Sequence, residues 1–203
     1  MHELDPLKES PSQTAGPYVH IGCMPNSIGN HGIFEEDLGA RMVNEDTKGE
    51  RITVRGRIYD GTGTALKDAM IEIWQADSNG LFNSPSDTRG EADPNFAGWG
   101  RQPVEPETGE FVFETIKPAS VPAPRGRTQA PHISFWIVAR GINVGLNTRM
   151  YFPEEEAANA ADPVLGSIEH RSRVATLIAN REGSTYTFDI HIQGENETVF
   201  LDI

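Results

Sequence analysis

The chemistry most open to reading in this sequence is one imidazole two residues before a hydroxyl. Residues 128–135 run Thr-Gln-Ala-Pro-His-Ile-Ser-Phe, with His132 and Ser134 at alternate positions. Side chains on a strand alternate with period two, so these two share a face. Two imidazoles at that spacing would supply half of a transition-metal site, whereas a neutral hydroxyl is a poor partner for such a metal. The segment has the layout of a metal site without its donor set. Taken alone, one His near the start of a strand fits better with no chemical role. Further along, Arg140-Gly141-Ile142-Asn143 places a guanidinium after the same strand. It suits a carboxylate-bearing ligand, and it also suits a surface ion pair. His20, His31, His170 and His191 stand apart without ligand spacing, and His191 is expected to point outward from a strand.

The elements that must position these groups are mostly strands. Ile52, Val54, Gly56 and Ile58 alternate with polar neighbours, and Ile71 and Ile73 do the same. Phe111 and Phe113 mark a further strand, 133–139 another, and Tyr186, Phe188, Ile190 and Ile192 another, with 198–201 closing a sheet. Asp60-Gly61-Thr62-Gly63 is a turn. A long excursion over 75–107 is of the length that usually carries function. Helix is scarce: Asp162 is a candidate cap with Pro163 at the first helical position, followed by one or two short helices. Residues 24–50 read as a surface loop, Trp74, Trp99 and Trp136 as core or interface, and Glu154-Glu155-Glu156 as a solvated face. Many short strands with Gly/Pro turns predict an all-β fold, a β-sandwich of mixed or antiparallel sheets with long loops. We expect a single domain over 1–203, with 1–17 an extended N-terminal arm.

Composition narrows the partners. The chain has 203 residues and a formal net charge of −13, which argues against nucleic acid or an anionic membrane as partner. One cysteine, Cys23, allows no intrachain disulfide and suits a reducing cytoplasm. The first residues have neither the basic nor the apolar region of a signal peptide, and no apolar run reaches membrane-spanning length.

Several strings resemble one family together. They are Gln13-Thr14-Ala15-Gly16-Pro17-Tyr18, Ile58-Tyr59-Asp60-Gly61-Thr62-Gly63, Ile71-Glu72-Ile73-Trp74-Gln75-Ala76-Asp77, Asp93-Pro94-Asn95-Phe96, Thr115-Ile116-Lys117-Pro118, Ala130-Pro131-His132-Ile133 and Tyr186-Thr187-Phe188-Asp189-Ile190. Their order, over nearly the whole chain, resembles the intradiol ring-cleavage dioxygenases, and most closely the alpha subunits of those members built from two kinds of subunit. The resemblance implies a non-haem Fe(III) site held in active subunits by two Tyr and two His. Carried over, the four ligand positions fall at Phe82, Val121, His132 and Ser134, and an arginine that assists the chemistry falls at Gln129. Only His132 keeps a ligand side chain. The resemblance therefore implies that this chain has no catalytic residue and binds no iron. The Fe(III) is expected in a homologous beta subunit, and this chain is expected to wall part of that subunit's pocket.

On the same basis Thr14, Gly16, Pro17 and Tyr18 look like a substrate-facing segment, although an ordinary Gly-Pro turn would carry the same residues. Gly16 would permit close backbone approach and Pro17 would fix the bend. Arg140 would meet the carboxylate of 3,4-dihydroxybenzoate, the implied substrate, opened with dioxygen in aromatic catabolism. The other reading is an iron-free scaffold or binding protein on the same sandwich, without a dioxygenase partner. Fold alone does not separate the two.

Overall fold

The computed structural model describes residues 14–202. Residues 1–13, most of the expected arm, lie outside the described residues. Eleven strands and three short α-helices follow in chain order: α1 (Pro17–Cys23), β1 (Arg51–Tyr59), β2 (Met70–Trp74), β3 (Trp99–Pro103), β4 (Glu110–Ile116), β5 (Val121–Ala123), β6 (Arg127–Gln129), β7 (His132–Val138), β8 (Leu146–Tyr151), α2 (Glu156–Ala161), α3 (Pro163–Ser167), β9 (Asn180–Glu182), β10 (Thr185–Thr187) and β11 (Ile190–His191). Short 3₁₀ segments occupy Asn26–Ile28, Pro124–Gly126 and Arg171–Leu177.

One sheet is built on β1. It pairs antiparallel with β4 on one side and parallel with β10 and then β11 on the other, while β9 adds to β10. The second sheet is antiparallel in the order β3-β2-β7-β8, and β5 and β6 form a separate ribbon. Alternation decides what faces inward: Ile52, Val54 and Ile58 of β1 and Phe111 and Phe113 of β4 meet Ile71, Ile73, Ile133, Phe135, Ile137 and Met150 of the other sheet. Phe135 touches Phe111 and Phe188, with ring centroids 5.9 and 5.3 Å away. The sheets are therefore layered face to face over one apolar core, the sandwich expected from the pattern.

Four details differ from expectation. The segment expected as one strand over 186–192 is two, because the ladder to β1 is interrupted at Phe188 and Asp189 while its register stays the same on either side. Asp189 accepts a hydrogen bond from the Arg57 N–H at 2.9 Å, and the Phe188 carbonyl comes so close to Gly56 that a Cβ there would sit 2.0 Å from it. Only glycine fits that position. Residues 198–201 do not form a strand, although Thr198 and Leu201 donate N–H bonds to His191 and Asn147 carbonyls. The arm ends at Gly16, since Pro17 opens α1 and presets its backbone there. Lastly, Glu154 is exposed, as expected of a solvated face, but is tied to partners: it accepts from Lys117 at 2.9 Å, Arg181 at 3.0 Å and the Tyr186 hydroxyl. Burial opposes the charge on Glu154, but the Tyr186 and Lys117 hydrogen bonds outweigh it and lower its pKa.

Candidate functional site

β7 runs between β2 and β8, and its register sets the outer face of the second sheet. Ser134 lies opposite Trp74 on β2 and Arg149 on β8, and His132 lies opposite Tyr151. Residues directly opposite one another share a face. Trp99, Trp74, Ser134 and Arg149 thus form one row across the sheet. Trp74 and Trp136 are part-exposed on this face.

The excursion after β2 folds back onto Trp74 because Asp77 ties it down. This buried carboxylate accepts N–H bonds from Asn79 at 2.8 Å, Leu81 at 2.9 Å and Asp93 at 2.9 Å. Gly80 takes a positive φ of 79° and passes so near the Ser120 carbonyl that any Cβ would clash. This brings Phe82 into a parallel stack on Trp74, centroids 5.9 Å apart. Asp87 accepts from the Phe82 N–H and clamps Arg89 at 2.8 and 2.6 Å. The Arg89 guanidinium, then the Phe82 N–H, hold the Asp87 carboxyl well below the usual range. Trp74, Phe82, Asp87, Arg89, Val121 and Pro122 line an open cavity of about 380 Å³.

His132 is buried at the edge of this region, 7 % exposed. Its Nδ1 lies 2.8 Å from the Ala130 carbonyl. The Ala130 N–H donates to Asp162 at 2.8 Å. Asp162 is the helix cap expected from its place before Pro163: it accepts from Val164 at 2.8 Å and Leu165 at 2.9 Å, and from the Tyr151 hydroxyl at 3.3 Å. Burial, followed by the Arg149 charge, pushes His132 down to about 4, so it is neutral near pH 7. Burial and the Asp162 carboxylate raise the Tyr151 phenol well above its ordinary value. Arg149 Nη1 donates to Gln129 Oε1 at 2.6 Å, and among the described residues its buried Nε has no hydrogen-bond partner.

Phe82 and Val121 therefore line the space beside Trp74, Ser134 lies opposite Trp74 in register, and His132 lies two residues away on the same face of β7. Their donor set does not fit a ferric ion. A phenyl ring and an isopropyl group offer no lone pair, a neutral hydroxyl is a poor ligand, and one neutral imidazole remains.

Thr14, Gly16, Pro17, Tyr18 and Arg140 gather elsewhere, at the far end of β7. Six residue steps along the strand make that roughly 20 Å from His132. Thr14 Oγ1 donates to the Ala139 carbonyl at 3.2 Å and accepts from the Gly141 N–H at 2.6 Å, which straps the segment to the loop holding Arg140. Ala15, Val19 and Cys23 pack on Met24, Met70 and Val138. Tyr18 is 85 % exposed. The Arg140 side chain is 79 % exposed and meets Asp68 at 3.2 Å. Gly16 caps α1 in an extended conformation and approaches no neighbour closely, and Pro17 begins the helix instead of bending an arm. His191 is part-buried and stacked on Tyr59 at 5.0 Å, not outward.

Sequence reasoning missed Arg149 and the wider role of Asp162. Both act through cross-strand register and long-range contacts; the only local signal was the Asp-Pro pair at 162–163.

A family profile described as Dioxygenase matches residues 26–194. The chain is 43 % identical over 203 residues to the protocatechuate 3,4-dioxygenase alpha chain of Pseudomonas putida, covering 98 % of each. The chain belongs to the intradiol dioxygenase family. It is also 32 % identical over 178 residues to the protocatechuate 3,4-dioxygenase beta chain of Burkholderia cepacia, covering 82 % of this chain and 75 % of that one. Among solved intradiol dioxygenase structures, a mercury-inhibited catechol 1,2-dioxygenase from Acinetobacter sp. ADP1 superimposes with a TM-score of 0.55 at 21 % identity, covering 85 % of this chain and 67 % of that one. That likeness concerns the fold. The intradiol dioxygenase family works with non-haem iron. Among the described residues, no helix is long and apolar enough to cross a membrane.

Proposed function

We propose that this chain is the non-catalytic alpha-type subunit of a protocatechuate 3,4-dioxygenase, paired with a homologous beta subunit that holds Fe(III). The assembly opens 3,4-dihydroxybenzoate with dioxygen between its hydroxyl-bearing carbons and gives 3-carboxy-cis,cis-muconate, a step of the β-ketoadipate route, in the cytoplasm. The observation that carries the reading is the lining of the Trp74 cavity, where Phe82 and Val121 present carbon only. The extent of identity to an alpha chain supports the subunit assignment. The whole chain, 1–203, serves as one domain.

The chain's own contribution lies at the Thr14–Arg140 end. The strap through Thr14 fixes the positions of Gly16, Pro17 and Tyr18 against the Arg140 loop. Tyr18 is free to reach a partner's pocket. Among the described residues Arg140 is held by one exposed ion pair, worth about 0–1 kcal/mol. It can exchange Asp68 for a substrate carboxylate at little cost and orient the ring by that charge.

The test is expression alone and together with a beta-type chain carrying both tyrosines and both histidines. Alone, the chain should be colourless and nearly iron-free; together, the complex should take up dioxygen with protocatechuate. Stoichiometric iron with visible tyrosinate absorption in the isolated chain would overturn the reading.

A further inference from the structure

Arg149 stands where a restored metal site would have to form. Ser134 faces it directly across the β7–β8 pair, and opposed side chains start about 5 Å apart at Cβ. The guanidinium is not a swinging surface group. Nη1 is fixed on Gln129 at 2.6 Å, and Nε is buried. Gln129 is itself fixed in register, opposite Val121 in the β5–β6 ribbon. Three of the four vestigial positions are therefore tied to this one cation: Val121 through Gln129, Ser134 by direct opposition, and His132 as the next residue of the same face. The resemblance places an arginine of active subunits at Gln129. Here that position holds an amide, and the guanidinium comes instead from β8 and bonds to it.

We propose that Arg149 is a metal-excluding residue: its fixed guanidinium supplies the positive charge of this site from the protein itself and bars a metal ion even when the missing ligands are put back. Two cations in one poorly solvated site repel strongly. An imidazole at position 134 would also point at the five N–H donors of a guanidinium, which has no lone pair to share with it or with a metal. Loss of ligands and gain of a cation are then separate barriers. The proposal builds on the iron-free reading above but does not stand or fall with it.

The experiment compares four full-length chains: wild type, F82Y/V121Y/S134H, the same triple with R149Q, and the same triple with R149K. Each is checked for folding by circular dichroism, then loaded with iron and measured for metal content and visible tyrosinate absorption. The triple with R149Q should load at least ten-fold more iron than the bare triple, and R149K should behave like the bare triple because it keeps the charge. Equal loading of the triple with and without R149Q overturns the proposal, as does an empty, folded R149Q chain or R149K matching R149Q. Iron in the wild type would instead count against the proposed function. If the multiple variants do not fold, S134H and S134H/R149Q are titrated with Ni(II). At least ten-fold tighter binding by the double variant is expected, and equal affinities overturn the proposal.

Discussion

Among the described residues Arg140 makes one ion pair, an exposed one with Asp68, so its removal should barely disturb the fold. In the assembled enzyme, Arg140→Ala should lose one charge-assisted hydrogen bond to the substrate carboxylate, about 1.5–3 kcal/mol. That lowers kcat/KM for protocatechuate roughly ten- to a hundred-fold. Catechol, without a carboxylate, should be much less affected, and iron content should not change. Steady-state kinetics on both substrates checks this, and equal losses would assign Arg140 to the interface instead. His132 gives a prediction of a different kind. Its folded pKa of about 4 lies below the ordinary 6.5. The unfolded chain therefore binds a proton below pH 6.5 that the folded chain refuses until about pH 4, and stability falls as pH drops through that window. Between pH 7 and pH 5 the loss is about 2 kcal/mol. His132→Gln should remove that share of the slope in urea unfolding at the two pH values. An unchanged slope would mean that the imidazole takes up its proton in the folded chain as readily as in the unfolded one.

Among elements, the join between β6, β7, β8 and α3 depends on Asp162. One buried carboxylate caps α3, holds the Ala130 N–H and meets the Tyr151 hydroxyl. Asp162→Ala should cost about 2–4 kcal/mol, from a lost cap and buried N–H groups left without acceptors, and Asp162→Asn less. The shift of the urea midpoint measures it, and an unchanged midpoint would show that the join is held by packing alone. The cap itself was legible, because Asp before Pro-Val-Leu is a local signal. So were the cores of β1, β2, β4 and β7, where apolar residues alternate cleanly. β8 was not, since Leu-Asn-Thr-Arg-Met-Tyr alternates poorly and owes its strand to pairing with β7. α1 was hidden by Gly16-Pro17, which read as a bend, and α2 by the acidic triplet that runs into its first residue. In the candidate site, the four vestigial positions came from a family resemblance. Arg149 did not, because nothing in its own neighbourhood reveals that it faces Ser134.

For the molecule as a whole, the unusual surface is the segment after α1 begins. Tyr18, Ile21, Ile28, Ile33, Phe34 and Leu38 are all exposed within one short stretch of chain. Scattered apolar side chains are ordinary on a surface, but a cluster marks an interaction site. The same stretch continues from the strap that places Thr14 beside Arg140, so a beta-type partner that covers it would also receive the residues proposed to face substrate. Homologous chains commonly pack about a pseudo-two-fold axis, and an obligate interface is large and apolar. Alone, the chain should self-associate despite a net charge of −13. Co-expressed with the partner, it should elute as a defined hetero-oligomer. Ile33→Ser with Leu38→Ser should reverse the balance, making the lone chain more soluble and weakening the complex at least ten-fold, measured by sedimentation across a dilution series. Both residues lie outside the core clusters, so the melting temperature of the lone chain should hold. A wild-type chain that sediments by itself as a stable monodisperse monomer would remove the need for a partner on this face.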